Sequence, residues 1–120
     1  MSTDATPVFL TVRGKYLAST LEACRVIHND TAGSQHGIAA ARALGDLSHK
    51  VYAPVVMPQS SAKNGEVLFL DWWQDPKGLM DFFANETVQM QGTKLFTSRD
   101  ATVWMPARGA FTYNLPAAAN

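Results

Sequence analysis

The sequence predicts an α+β domain with the element order βαββαβ, in which a four-stranded antiparallel sheet carries helices on one face. Three observations lead to this prediction. The chain has 120 residues, a length typical of a single domain. Apolar residues make up 47% of it, which is enough for a packed core. Four β-branched or aromatic runs alternate with two helical regions.

The first strand and the first helix each have a local signal. Residues 8–13 (VFLTVR) are β-branched or aromatic and precede Gly14, so they predict a strand. Ser19 and Glu22 have the spacing of a capping box, which predicts a helix over residues 20–29. The apolar stripe of this helix contains Leu21, Ala23, Cys24 and Ile27.

A second helical run and a second strand follow a turn cluster at residues 29–34. Residues 35–44 are rich in alanine and end at Gly45, a residue typical of the position just after a helix. Residues 50–57 (KVYAPVVM) predict the second strand. Pro54 has no amide hydrogen to donate, so this strand should lie at an edge of the sheet.

The second half of the chain contains the remaining elements. Residues 66–73 (EVLFLDWW) predict the third strand. Asp75-Pro76 starts the third helix, with an acidic N-cap and proline at the first helical position. A further helical piece restarts at Asn85-Glu86 and runs through Leu95 and Phe96. Residues 98–100 predict a turn, and residues 101–105 (ATVWM) predict the fourth strand.

This order of elements is the ferredoxin-like arrangement, in which the first and third strands are central and the other two are edges. The predicted domain spans residues 8–106. Residues 1–7 predict a flexible arm, and residues 107–120 predict a C-terminal tail.

The third strand is apolar on both of its faces. Because successive side chains point to opposite sides, Val67, Phe69 and Trp73 share one face, and the other face carries Leu68, Leu70 and Trp72. Helices cover one face of such a sheet, and a wet face would alternate apolar with polar residues. The second face therefore predicts a homodimer that packs sheet on sheet. The alternative is that loops and the aromatic tail fold over it.

Charge and cysteine content narrow the class of protein. Ten Lys and Arg balance ten Asp and Glu, which argues against nucleic acid or an anionic membrane as the partner. No stretch approaches the roughly 18 apolar residues of a membrane span, and no signal peptide is visible. The single cysteine, Cys24, cannot form an internal disulfide. We therefore expect a cytoplasmic protein.

The element order, the junction FLDWWQDPKGLMDFF (residues 69–83) and the closing ATVWMP (residues 101–106) resemble the dimeric α/β-barrel superfamily. This superfamily includes antibiotic-biosynthesis monooxygenase-like proteins and stress-responsive barrel proteins. The resemblance covers about residues 8 to 106 and rests on pattern. It implies dimerisation through the open sheet faces and a ligand cavity between sheet and helices. Members include cofactor-independent oxygenases of aromatic polyketides, haem-degrading oxygenases and proteins without known activity.

The residues argue against the haem-degrading branch. Residues 76–88 contain no histidine to serve as the iron ligand, and residues 8–13 lack the asparagine of that branch. His28, His36 and His49 are too widely spaced for a local metal motif. The acids are scattered, without a paired-carboxylate arrangement. We therefore expect no cofactor and no metal.

Residues 28–33, followed by Arg42, Asp46 and His49, are denser in hydrogen-bonding groups than a helix hairpin requires, and His28 can point into a cavity under the first helix. His28 and His49 are the candidate catalytic residues, since histidine can accept a proton from a bound molecule. For His28 the helix dipole and Asp30 would raise the pKa, whereas burial would lower it, so the net direction stays open. The candidate ligand-binding residues are Asn29, Arg42, Tyr52, Trp72, Trp73, Phe83 and Trp104.

A purely structural role is the alternative for each of these residues. Asn29 would cap a helix end, and Arg42 would pair with Asp46 at the i, i+4 spacing. Trp72 and Trp73 must point to opposite faces, and either one can match a tryptophan that the resembling oxygenases keep near this position. Their alternative role is core packing.

Two functions fit this sequence. The first is a homodimer that binds a small apolar or aromatic organic molecule and oxygenates it without a cofactor. The second is a non-catalytic ligand-binding or stress-responsive barrel protein. The sequence does not separate them, because the same aromatic cavity serves both.

Overall fold

The computed structural model of the chain describes residues 7–107. Its elements, in chain order, are β1 (Val8–Tyr16), α1 (Leu21–Asp30), α2 (Gln35–Ala43), β2 (Asp46–Tyr52), β3 (Glu66–Trp73), α3 (Pro76–Ala84), α4 (Glu86–Leu95) and β4 (Phe96–Trp104). The strands follow the order β2-β3-β1-β4 across one sheet, and all neighbours are antiparallel. The predicted ferredoxin-like order, with β1 and β3 central, is confirmed. Apart from Pro7 and Ala107, the predicted arm and tail lie outside the described residues.

The core lies between the helices and one face of the sheet. Alternate residues of β1 are buried, as expected for a strand with one covered face. The helices contribute Cys24, Leu79 and Leu95 to this core, and Trp73 of β3 is fully buried in it. Cys24 thus behaves as a small buried apolar residue, as the helical stripe predicted.

Side-chain caps define where the helices begin. Asp75 Oδ1 accepts a hydrogen bond of 2.9 Å from the Gly78 amide, with Pro76 at the first helical position, as predicted. The predicted capping box at Ser19 is wrong. The cap is Thr20, whose Oγ1 accepts from the Ala23 amide at 3.1 Å. α1 consequently begins one residue later, at Leu21.

Two strands have bounds that differ from the prediction. β2 spans Asp46–Tyr52 instead of residues 50–57, so it is an edge strand as expected, but Pro54 lies beyond its end. The ladder with β3 stops before the residue that cannot donate. β4 begins at Phe96 and passes through residues 98–100, which were predicted to form a turn. Pairing with β1 overrides the turn preference of these polar residues.

Candidate functional site

A cavity of about 680 Å³ lies between the sheet and the helices. This volume falls within the range of roughly 300–1,000 Å³ that holds small organic molecules. Strands β1 and β3 and helices α3 and α4 supply most of its apolar wall, which includes Leu10, Phe69, Phe82, Phe83, Val88 and Leu95. The wall therefore suits an apolar or aromatic body.

His49 enters this cavity from β2 with its ring held by Asp71. The two residues are partners in the β2–β3 ladder, and His49 Nδ1 lies 2.7 Å from Asp71 Oδ1. Asp71 is 7% exposed and is the one buried charged residue among those described. Because a carboxylate oxygen only accepts, His49 Nδ1 carries the hydrogen, and in the neutral ring Nε2 is the nitrogen with a lone pair.

His28, in the last turn of α1, stacks on His49. The two ring centroids are 4.9 Å apart and the planes meet at 9°. Phe69 places its ring edge-on to both imidazoles, at 5.2 Å and 5.0 Å. A Cβ at Gly33 would come within 2.9 Å of His28 Nδ1, so the absence of a side chain there lets the loop after α1 pack on the imidazole. Together these contacts fix the position of both rings.

Burial decides the protonation of His28. Desolvation is the largest influence and lowers its pKa below the ordinary 6.5, and the neighbouring His49 acts in the same direction. A hydrogen bond between His28 Nδ1 and Asn29 Oδ1, at 3.1 Å, opposes this shift. The net shift of the His28 pKa, which the sequence left open, is therefore downward. His28 is a neutral imidazole at pH 7.

A second carboxyl group lies beside Asp71. Asp46, the first residue of β2, has its pKa raised from 3.8 to about 8, mainly by burial and then by the neighbouring carboxyl group of Asp71. Its Oδ1 is buried without a hydrogen-bond partner among the described residues. The two carboxyl groups therefore share one negative charge at neutral pH. The prediction that no carboxylates are paired is wrong, because the β2–β3 ladder brings these two together.

Five of the predicted site residues do line the cavity: His28, Asn29, Arg42, His49 and Phe83. The alternative pairing of Arg42 with Asp46 is not formed among residues 7–107. Asp46 lies on β2 instead of continuing α2, so the helical i, i+4 geometry does not exist there.

The four remaining candidates lie elsewhere. Trp73 is on the helix side but is fully buried in the core and does not line the cavity. Tyr52 pairs with Leu68, and Trp72 pairs with Phe9, whose neighbour on the other side is Trp104. Tyr52, Trp72 and Trp104 therefore lie on the opposite, open face of the sheet. As predicted, Trp72 and Trp73 point to opposite sides.

Six polar residues of the cavity were not among the predicted site residues: Asp46, Ser48, Asp71, Gln89, Gln91 and Arg99. The sequence did contain a signal for Asp71, since it is the one acid within residues 67–73 (VLFLDWW) and shares its face with Phe69 and Trp73. The sequence contained no signal for Arg99 as a site residue, because residues 98–100 were predicted to form a turn. Its place on β4 follows from pairing with β1.

Neither a metal centre nor a membrane helix is found in the part of the chain that the structure describes. No group of three His, Cys, Asp or Glu side chains among residues 7–107 is arranged to hold a metal ion. No helix in the same range has the length and apolar character needed to cross a membrane.

Similarity to known proteins comes from structure alone. No family model and no curated protein matches the sequence. A variant of SnoaB, a cofactor-independent oxygenase from Streptomyces nogalater, superimposes with a TM-score of 0.60 at 16% identity, covering 91% of this chain and 100% of that one. Rv0793 from Mycobacterium tuberculosis superimposes with a TM-score of 0.58 at 18% identity, covering 88% of this chain and 99% of that one.

A third similar structure is a dimeric ferredoxin-like protein from an uncultured marine organism. It gives a TM-score of 0.62 at 8% identity, covering 93% of this chain and 97% of that one. At such identities these similarities show the fold alone. The chain has the ferredoxin-like fold that it shares with a cofactor-independent oxygenase, and the fold that the resemblance implied is confirmed.

Proposed function

We propose that this chain forms a homodimer in which each subunit binds a small apolar or aromatic organic molecule, and that it oxygenates this molecule without a cofactor. One observation carries the proposal: two stacked histidines, each held at Nδ1, face an apolar cavity of about 680 Å³. The fold shared with SnoaB, named as a cofactor-independent oxygenase, supports it. A cytoplasmic location stays a prediction from the single cysteine.

The open face of the sheet supports the homodimer. Phe9 and Trp72 are in contact there, with ring centroids 3.8 Å apart and the ring planes tilted by 38°, and Trp104 is 54% exposed beside them. Leu68 and Leu70 continue the apolar surface along β3. A second copy of this face would cover it, and a typical stable interface buries about 1,600 Å² in total.

Replacing Leu70 with Lys tests the dimer. A charge placed in the centre of the open face should give a monomer by analytical ultracentrifugation at micromolar concentration. Met80→Lys is the matched control, because Met80 is 62% exposed on α3, away from that face. A wild-type monomer, or a dimer that both variants leave intact, would contradict the proposed interface.

His49 is the proposed proton acceptor. Its Nε2 takes the proton of a phenol or of an acidic C–H, and the Asp71 carboxylate stabilises the imidazolium that forms. The deprotonated, electron-rich ring then reduces molecular oxygen. For anthrone as substrate, the CH₂ group becomes C=O, one oxygen atom enters the product, and the other leaves as water. His28 holds the His49 ring in place by stacking.

Binding and turnover are tested separately. N-phenylnaphthylamine, a neutral aromatic probe that fluoresces in apolar sites, should bind the wild-type protein. Ala101→Phe should weaken this binding, since Ala101 lines the cavity, whereas Ala84→Phe on the exposed end of α3 should not. Native mass spectrometry of the purified protein would also reveal a ligand that it already carries. Equal probe binding by all three proteins would contradict the cavity as the site.

Turnover is measured with anthrone, by oxygen uptake and by anthraquinone formation. We expect His49→Gln to lower the rate about 100-fold or more while probe binding is kept. If the wild-type protein binds the probe but oxidises anthrone no faster than His49→Gln does, the oxygenase proposal fails. The protein would then be the non-catalytic binding barrel that the sequence also allowed.

A further inference from the structure

The charged groups of the cavity do not balance. Apart from the histidines, the cavity is lined by four ionisable side chains: Arg42, Arg99, Asp46 and Asp71. Asp71 is bonded to His49, and Asp46 has its pKa raised to about 8 by burial beside Asp71. The two carboxyl groups therefore contribute one negative charge against two arginines, which are always protonated. The cavity has a positive surplus although the whole chain has a formal net charge of zero.

Arg99 is held in position. Its Nη2 donates to Gln89 Oε1 at 2.8 Å, across from β4 to α4. A Cβ at Gly92 would overlap Arg99 Nη1, so the guanidinium lies in the space that this buried glycine leaves on α4. A guanidinium has five N–H donors, and Gln89 is the one side-chain acceptor bonded to Arg99 among residues 7–107. The remaining donors are available to a bound molecule.

Arg42 supplies the second positive charge, from α2. Among the described residues it forms no ion pair and no side-chain hydrogen bond, although it lines the cavity. An arginine beside an apolar wall is well suited to a carboxylate or a similar anion, which it can bind with two parallel hydrogen bonds.

We propose that the cavity selects organic anions: an aromatic molecule whose carboxylate, sulfonate or phenolate group is bound by Arg99 and Arg42. The inference rests on the proposed ligand-binding function and narrows its ligand class. The apolar wall takes the ring system, and the arginines take the charged group. A neutral aromatic molecule gains the first interaction only.

Two probes with the same ring system separate these contributions. Anilinonaphthalene sulfonate (ANS) carries one negative charge, and N-phenylnaphthylamine is its uncharged counterpart. We expect the wild-type protein to bind ANS more tightly, and Arg99→Gln and Arg42→Gln each to weaken ANS about tenfold. Neither variant should change the affinity for N-phenylnaphthylamine by more than about twofold.

Two further variants sharpen the test. Gly92→Ala should weaken ANS binding by displacing the Arg99 guanidinium, while alanine favours the helix, so the fold is kept. Arg13→Gln is the matched control, because Arg13 lies on the open face in an ion pair with Glu66. Loss of ANS binding in Arg13→Gln alone would place the anion on the open face and overturn the proposal.

The remaining outcomes distinguish this inference from the proposed function. If N-phenylnaphthylamine binds in the cavity and ANS binds no more tightly, the ligand-binding function stands and the anion selectivity is wrong. If ANS binds more tightly but both cavity arginines can be replaced without effect, the selectivity is also wrong. If neither probe binds, both proposals fall. Circular dichroism of each variant confirms that it is folded.

Discussion

His49 and Asp71 lie opposite each other on adjacent antiparallel strands, joined by a hydrogen bond of 2.7 Å. The bond links the edge strand β2 to the central strand β3. Asp71 is 7% exposed, so its carboxylate depends on this partner and on the carboxyl group of Asp46. A buried charge with a specific partner at the wall of a cavity is typical of a functional site.

Replacing Asp71 with Asn tests what this carboxylate does. The variant keeps the size of the side chain but removes the charge that stabilises a protonated His49. We expect anthrone oxidation to fall about 100-fold or more. N-phenylnaphthylamine affinity should stay within about twofold, since the apolar wall is unchanged. A folded Asp71→Asn protein with an undiminished rate would show that His49 is not the base.

His28 provides a prediction about pH. We expect its imidazole to titrate below 6.5, because burial disfavours the charged ring. The folded protein then binds fewer protons than the unfolded chain, so the stability linked to His28 is present above pH 6.5 and is lost as the pH falls through the folded pKa. NMR of the Cε1–H group follows this titration, with His28→Gln to assign the signal. A value above 6.5 would mean that the helix dipole outweighs burial.

Local signals predicted much of the fold, and pairing between distant strands decided the rest. The predicted strand EVLFLDWW has the same bounds as β3, and Asp75 is the N-cap of α3 as predicted. Both features depend only on residues close together in the sequence. The start of β2 and the passage of β4 through residues 98–100 depend on which strands they pair with. A turn preference over three polar residues carries no information about such a partner.

The candidate site also has parts that local sequence predicted and parts that depend on contacts between distant residues. His28 was expected at a cavity from its place on α1, but its stacking on His49 depends on how α1 packs over β2, which no periodicity reveals. Asp46 and Asp71 become neighbours through the β2–β3 ladder alone. Asp46 lay between the predicted second helix and second strand, and the observed start of β2 at Asp46 places it beside Asp71.

The start of α1 can be tested by replacing one hydroxyl at a time. Thr20 Oγ1 accepts the Ala23 amide hydrogen, so Thr20→Ala leaves that donor without its side-chain partner. We expect a loss of about 1 kcal/mol in the free energy of unfolding, measured in urea. Ser19→Ala is the matched control and should change stability by no more than a few tenths of a kcal/mol. A larger loss of stability in Ser19→Ala than in Thr20→Ala would show that Ser19 is the cap, as the sequence predicted.

For Asp46 the pH dependence of stability has the opposite sign to that for His28. Its pKa is about 8 in the folded protein against 3.8 as the ordinary value. Between these pH values the folded protein keeps a proton that the unfolded chain has released. The stability linked to this carboxyl group is therefore full below about pH 4 and is lost as the pH rises to about 8.

Asp46→Asn should remove this loss, because the amide keeps the size of the side chain and does not titrate. Urea unfolding of both proteins is compared from pH 4 to pH 8. We expect equal stability at the acidic end and a growing advantage for Asp46→Asn, above about 1.4 kcal/mol at the basic end, the value of one pKa unit. Asp81→Asn, an exposed carboxylate paired with Lys77, is the control and should show no growing advantage. An advantage for Asp46→Asn that is constant with pH would mean that Asp46 is already ionised in the folded protein.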